Sequence, residues 1–223
     1  MRARVSVHQS TPEKARATVD DRAALVRHGL RLNYLTIAYN SLEAIASLIA
    51  GVLSGSVALV GFGADSVIEV TASGAAQWRL RADVDPKRRA AVERLTHRIV
   101  GWSFIALAVY VSYESARTLW LRERPERSVV GIVVLAASVV VMPLLARAKR
   151  RVANAMNSRV LASEATQTSL CAYLSAIALA GVVLNAALGW WWADPVAAMA
   201  MVPIIGREGL DGVRGEICAD DCC

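Results

Sequence analysis

The chain has 223 residues, 55% of them hydrophobic, and its apolar residues occur in long blocks, which excludes an ordinary soluble domain. The 25 Lys and Arg residues against 19 Asp and Glu residues give a formal charge of +6. The basic residues lie in short segments between the apolar blocks, as the positive-inside rule describes, so no nucleic-acid partner is implied. We predict an all-α membrane protein, because separate apolar segments cross lipid only as helices.

Six membrane-spanning helices are predicted in chain order, each near the roughly 20 residues that a span requires. A basic cytoplasmic segment, residues 1–29, comes first, and the transmembrane domain covers 30–208. The predicted spans are roughly 30–53, 57–80, 99–121, 128–146, 165–188 and 190–207. A short cytoplasmic tail that contains cysteines, 209–223, follows the sixth span.

The charges between spans predict the orientation of the chain. Basic residues concentrate before the first span, between the second and third spans, and between the fourth and fifth spans, where Lys149 is assigned to a loop. The turns at 54–56 and 189–193 carry no charge, and the second holds three tryptophans typical of a membrane interface. Both termini are therefore predicted to be cytoplasmic. Four arginines at the end of the third span and in the loop after it depart from the rule: Arg117, Arg122, Arg124 and Arg127.

Asp65 and Glu69 lie four residues apart inside the second apolar block. Four residues of helix give about 6 Å of rise and about 400° of rotation, so both carboxylates share one face. A charge at bilayer depth costs at least about 2.5–3.5 kcal/mol, and two on one face also repel each other. A cation held between them would offset that cost. The alternatives are pairing with an Arg of another helix and a position near the membrane edge.

Gln167 and Cys171 form a second pair with the same spacing, in the fifth apolar block. Alone, a buried Cys is usually a small apolar residue, and a membrane Gln often only bonds another helix. Facing two carboxylates, the pair completes the ligands of an intramembrane metal site. Mixed oxygen and sulfur ligands suit Zn²⁺, and a thiolate favours softer ions such as Cd²⁺ or Cu(I).

From about Leu30 to Gly209 the chain resembles the cation diffusion facilitators, also called cation efflux proteins. The similar motifs are SGSVAL at 54–59 before Asp65-x-x-x-Glu69, SRVL at 158–161 before Glu164-Ala165-x-Gln167-x-x-x-Cys171, and Ala193-Asp194-Pro195. The resemblance implies a metal site, usually for zinc, at Asp65, Glu69, Gln167 and Cys171. Gln167 stands where the family usually has His, and Cys171 where it usually has Asp. The chain also resembles a short bacterial branch without the family's cytoplasmic C-terminal domain.

The function that this resemblance implies is efflux of a divalent metal ion, first of all Zn²⁺, by proton antiport. The expected partners are the metal ion, protons, the lipid bilayer and a second copy of the chain, with no prosthetic group and no nucleic acid. The expected location is a bacterial cytoplasmic membrane. One alternative is a metal-binding membrane sensor or scaffold that does not transport. An enzyme with Cys171 as nucleophile is disfavoured, because no histidine falls at the right depth.

Two polar residues of the first span, Asn40 and Glu43, are candidates for a proton or cation path. The alternative is that each bonds a neighbouring helix. Asp194 precedes a proline at the start of the sixth span, so we predict a capping role for it. Glu164 is placed near the cytoplasmic end of the fifth span, as an interfacial residue or as part of the entrance.

The tail contains three thiols within six residues: Cys218, Cys222 and Cys223. Short cysteine clusters bind Zn²⁺ or Cu(I), and a disulfide is not expected to persist in reducing cytosol. The tail is therefore a candidate for metal capture. The alternative is a disordered segment with incidental thiols.

Overall fold

In a computed structural model of the chain, the described residues are 12–81, 86–156 and 159–214, and they form six α-helices. The helices are α1 (Pro12–Ser54), α2 (Val57–Arg81), α3 (Pro86–Leu121), α4 (Val129–Met156), α5 (Arg159–Leu188) and α6 (Ala193–Arg214). The prediction of an all-α membrane protein is confirmed. The closest associations are those of α3 with α6, α4 with α5 and α1 with α2.

Within the described part of the chain, five helices are long and apolar enough to cross a membrane. Their apolar segments are Arg27–Ser54, Val57–Gly74, Arg98–Leu121, Val129–Ala155 and Glu164–Leu188. The sixth helix, α6, is not among these five. It carries the charged residues Asp194, Arg207 and Glu208, which an isolated membrane-spanning helix would rarely contain together. It packs against α3 and α5, and Asp194 is buried, so part of this charge is shielded by the bundle.

Several helices continue well past the predicted ends of their spans. α1 begins at Pro12, α3 at Pro86, and α4 ends only at Met156. The assignment of Lys149 and its basic neighbours to a loop is therefore wrong, since they lie in α4. Arg, Lys, Glu and Ala are good helix formers, so a helix continues after its apolar block has ended.

Three connections lie together at one end of the bundle. The backbone N–H of Glu126, between α3 and α4, donates to the carbonyl of Ser54 at 2.7 Å. The side-chain amide of Asn185, near the end of α5, donates to the carbonyl of Pro125 at 3.0 Å. Gly55 and Gly189 have φ of 66° and 68° in the adjoining turns, a conformation that glycine adopts without strain.

Asp194 stabilises the same end of the bundle. It lies in the first turn of α6 but caps α2. Ser56 is the N-cap of α2, because its hydroxyl accepts from the backbone N–H of Leu59 at 3.1 Å. The carboxylate of Asp194 accepts from the Ser56 hydroxyl at 2.5 Å and from the backbone N–H of Val57 at 2.9 Å. The first turn of α6 is thereby fixed to the first turn of α2.

Glycines permit close contact where α2 passes its neighbours. A Cβ added to Gly63 would lie 2.9 Å from the Leu48 side chain on α1 and 3.0 Å from its backbone nitrogen. A Cβ on Gly61 would lie 3.1 Å from the Val111 side chain on α3. These two glycines therefore allow close helix approach.

Candidate metal centre

The structure brings three of the four predicted ligands into one buried cluster. Asp65 and Glu69 come from α2 and Cys171 from α5, and one ligand atom of each lies within 4.8 Å of the others. Their exposed fractions are 3%, 7% and 1%. The four-residue spacing on α2 turns both carboxylates toward α5, and the packing of the two helices supplies the thiol.

Gln167, the fourth predicted ligand, lies one turn before Cys171 on α5 and lines the same small cavity. The cavity has a volume of about 10 Å³, which is room for about one water or one ion. Its polar lining comprises the four predicted ligands together with Glu208 of α6. Phe104, Leu174 and Ile205 form part of its apolar wall, so an ion there would be largely shielded from solvent.

A hydrogen bond connects the cluster to α1. The side-chain amide of Asn40 donates to Glu69 Oε2 at 2.7 Å, and both residues are buried. Asn40 is therefore in direct contact with a predicted ligand and orients its carboxylate.

Glu43 is also buried, but its contacts are with hydroxyl groups rather than with the cluster. Its Oε2 accepts from Ser66 at 3.1 Å, and its Oε1 accepts from Ser138 on α4. These contacts match the alternative in which Glu43 bonds neighbouring helices. A role in a proton or cation path stays a prediction.

A buried ion pair joins α4 to α5 close to the cluster. The Lys149 ammonium lies 3.4 Å from Glu164 Oε2 and 3.3 Å from the Thr168 hydroxyl, and Lys149 is 1% exposed. Glu164 begins the apolar segment Glu164–Leu188 and is buried against α4, so its place at the membrane interface or at the entrance stays a prediction. Helical spacing offered a signal for Lys149: it shares a face with the buried Met142 and Ala146.

Glu208 is the second residue that sequence reasoning missed. It is partly buried and lines the cavity together with Gln167. Its spacing from the buried Met201 and Ile205 places it on the inward face of α6. That periodicity was available in the sequence, but the predicted sixth span, 190–207, ended one residue before Glu208.

The ligand chemistry suits a divalent ion of intermediate softness. Asp65 and Glu69 provide carboxylate oxygens, Gln167 an amide oxygen and Cys171 a sulfur atom. With both carboxylates ionised, the group carries two negative charges, or three with the thiolate formed. Either state can neutralise a divalent cation, and mixed oxygen and sulfur ligands are typical of Zn²⁺ sites.

The thiols of the tail fall in 215–223, outside the described residues.

The fold and the buried cluster define a helical membrane domain with a candidate cation site at its centre. Residues 34–214 match the model of the cation efflux transmembrane domain, and the chain therefore belongs to the cation efflux family. The family resemblance seen in the sequence is thereby confirmed. The described helices therefore form a cation efflux transmembrane domain.

Individual relatives match over part of their length. The chain is 28% identical over 169 residues to the magnetosome protein MamB of Paramagnetospirillum magneticum and, equally, to that of Magnetospirillum gryphiswaldense. Each match covers 73% of this chain and 57% of the relative. The cation-efflux pump FieF of Shewanella oneidensis is 30% identical over 86 residues, which is 39% of this chain and 29% of FieF. The chain thus spans little more than half of the MamB relatives.

Proposed function

We propose that this chain exports a divalent metal cation, with Zn²⁺ the first candidate, in exchange for protons. The observation that carries the proposal is the buried cluster of Asp65, Glu69 and Cys171, with ligand atoms within 4.8 Å of one another. Gln167 is the fourth proposed ligand. Membership of the cation efflux family supports the transport activity, and the similarity to a cation-efflux pump supports the direction.

Proton exchange follows from the charge of the cluster. Two carboxylates in a site of low dielectric repel each other, so either a cation or protons must neutralise them. The buried cation nearby, Lys149, is already paired with Glu164. Metal and protons therefore compete for the same oxygens and sulfur, and binding one releases the other. Rocking of α2 and α5 against the remaining helices would expose the site to each side in turn.

We also propose the setting in which this transport takes place. Both termini face the cytoplasm, since most basic residues lie at the end of the bundle opposite the 54–56 and 189–193 turns. The membrane is the bacterial cytoplasmic membrane, and the transporting unit is a homodimer. The outward apolar side chains, such as Trp120 at 88% exposed, would then contact lipid or the second copy.

Metal flux into proteoliposomes under an imposed pH gradient tests the proposal. The parent would be compared with Asp65→Asn and Cys171→Ala across Zn²⁺, Cd²⁺, Co²⁺, Ni²⁺, Fe²⁺ and Cu(I). We expect gradient-driven flux that Asp65→Asn abolishes and whose ion preference Cys171→Ala changes. Glu126→Gln, at an exposed acid between α3 and α4, is the matched control and should transport like the parent.

The same experiment separates transport from binding alone. Equilibrium metal binding in detergent would be measured on each preparation used for flux. Metal binding that requires Asp65, without flux of any ion, would contradict the exporter and favour a sensor or scaffold. Absence of both binding and flux would contradict the metal site itself.

A further inference from the structure

We propose that Glu208 is the carboxylate at the cytoplasmic entrance of the metal cavity, held in place by Gln167. This inference rests on the proposed function, since it concerns how the ion reaches the same site. It assigns to Gln167 a positioning role in addition to any ligation. Glu208 is then a residue that sets how readily the cation enters rather than how tightly the buried cluster holds it.

The depth of Glu208 can be compared with that of the cluster because α2 and α6 begin together. The bond between Asp194 and Ser56 fixes the first turns of the two helices to each other. At 1.5 Å per residue, Asp65 and Glu69 lie about 12 and 18 Å from that shared end, and Glu208 about 21 Å. Glu208 is therefore the carboxylate of the cavity that lies nearest the opposite, basic end.

Burial decreases in the same direction, from the two carboxylates of α2 to that of α6. Asp65 and Glu69 are buried, whereas Glu208 is only partly buried although it lines the same cavity. It also stays outside the three-residue cluster of mutually close ligand atoms. An ion that arrives from the basic end would therefore meet the Glu208 carboxylate before it could reach all three cluster ligands.

Gln167 connects the two positions. It lies one turn before Cys171 on α5 and lines the same cavity as Glu208 of α6, so its side-chain amide can donate to the Glu208 carboxylate. An amide that donates through its nitrogen keeps its carbonyl oxygen as an acceptor. The pair thus offers a cation one carboxylate and one amide oxygen just before the buried cluster.

The backbone of α6 is held firmly at this point. A Cβ on Gly209 would lie 2.8 Å from the Ile105 side chain and 3.0 Å from its backbone nitrogen. A Cβ on Gly101 would lie 2.6 Å from the backbone nitrogen of Val213. This close contact of α3 and α6 fixes the residue beside Gly209, so the direction of Glu208 is set by packing.

The test is the concentration dependence of initial Zn²⁺ uptake into inverted membrane vesicles, whose outer face is the cytoplasmic one. For Glu208→Gln we expect KM to rise about 10-fold with little change in maximal rate, because a charged cleft concentrates its ion. Equilibrium Zn²⁺ affinity should change much less than it does in Asp65→Asn. Asp211→Asn removes the same charge one turn further along α6, away from the cavity, and should behave like the parent.

The positioning role of Gln167 has its own readout. Gln167→Leu should raise KM more in the parent than in the Glu208→Gln background, because in that background only the loss of a proposed metal ligand remains. An undiminished effect in that background would overturn the positioning role. Glu208→Asp keeps the carboxylate and should recover most of the lost uptake at low Zn²⁺, and thermal unfolding would verify that every variant is folded.

Other outcomes overturn the entrance proposal while sparing the exporter. A KM for Glu208→Gln equal to that of Asp211→Asn, in protein whose flux still requires Asp65, would show that Glu208 has no part in entry. Complete loss of equilibrium Zn²⁺ binding in folded Glu208→Gln would make Glu208 a ligand of the buried site instead. A parent that neither binds nor transports Zn²⁺ or the other ions would remove both proposals.

Discussion

At the scale of single residues, Cys171 is the proposed ligand that most distinguishes the candidate site. Its sulfur lies within 4.8 Å of two carboxylates and the residue is 1% exposed, where the family resemblance would place an Asp. Sulfur is a softer ligand than oxygen, so the thiol would change the ion preference of the proposed site without changing its position. Glu69 is oriented in turn by Asn40 at 2.7 Å, which limits how the oxygens can rearrange.

We predict that Cys171→Asp lowers the affinity for Cd²⁺ severalfold relative to Zn²⁺, because an oxygen ligand replaces the soft sulfur. Competition between the two ions in equilibrium binding measures this ratio. Cys171→Ser retains a small side chain without the thiol and is the control for volume. An unchanged ratio in both variants would mean that the thiol does not contact the ion.

Asp194 provides a prediction about stability at the residue scale. Asp194→Ala should cost at least the roughly 1–2 kcal/mol of a strong helix cap, since it removes the acceptor for Val57 and for Ser56. Ser128→Ala, which removes an ordinary hydroxyl cap from Gly131 of α4, should cost less. Unfolding in detergent would measure both, and equal losses would contradict the bracing of α2 by α6.

At the scale of helices, α4 and α5 are joined by a buried charge pair next to the site. Lys149 lies 3.4 Å from Glu164, with Thr168 as a second partner at 3.3 Å. Replacing one member of such a pair strongly destabilises the fold, although the net contribution of the intact pair to stability is often small. It also keeps the half of α5 that carries Gln167 in a defined register against α4.

We therefore predict that Lys149→Gln or Glu164→Gln alone destabilises the fold by about 3–5 kcal/mol, because each removes one charge of a buried ion pair. The double variant should lose less than the sum of the two single variants. Free energies of unfolding in mixed detergent give the double-mutant cycle. Additive losses would show that the two charges do not stabilise each other.

The contact of α3 with α6 gives a second prediction at this scale. Gly209→Ala should destabilise by about 1–3 kcal/mol, because the new methyl group would overlap Ile105. Gly206 is the matched control on the same helix, since a Cβ there would meet no atom within 4 Å. Thermal unfolding that treats the two variants alike would contradict the close approach of these helices.

At the scale of the whole molecule, the six helices place the charged ends and the polar turns on opposite sides. The turns at 54–56 and 189–192 and the 122–128 connection meet at one end, joined by the bonds of Ser54 and Asn185. Arg117, near the end of α3 and beside that connection, pairs with Glu114 and lies 3.0 Å from Glu123. These acids offset its charge, so its presence at that end is compatible with an outward face.

A labelling experiment checks this topology. Arg127→Cys in whole cells should react with a membrane-impermeant maleimide, whereas Arg150→Cys should react only after the membrane is opened, because α4 separates the two positions. The parent chain gives the background from the native cysteines. Reaction of Arg150→Cys in intact cells would reverse the proposed orientation.

The sequence by itself determined the helical membrane class, the approximate spans, and the faces that carry Asp65, Glu69 and Cys171. These features depend on apolar block length and on the 3.6-residue period, which are local properties of the chain. The motif spacing also led to the family, which the match over 34–214 confirmed. For residues close in sequence on one helix, the shared face could therefore be predicted without the structure.

Only the tertiary structure decided which distant groups meet. Lys149 of α4 pairs with Glu164 of α5, and Asp194 caps α2 rather than its own helix. Glu208 lines the candidate metal cavity together with Gln167. The charge pattern predicts a loop for Lys149, and the sequence predicts a cap at the start of the sixth span for Asp194 and gives no role to Glu208. A buried charge is instead retained wherever the packing of helices supplies a partner for it, and the partner's helix cannot be deduced from local periodicity.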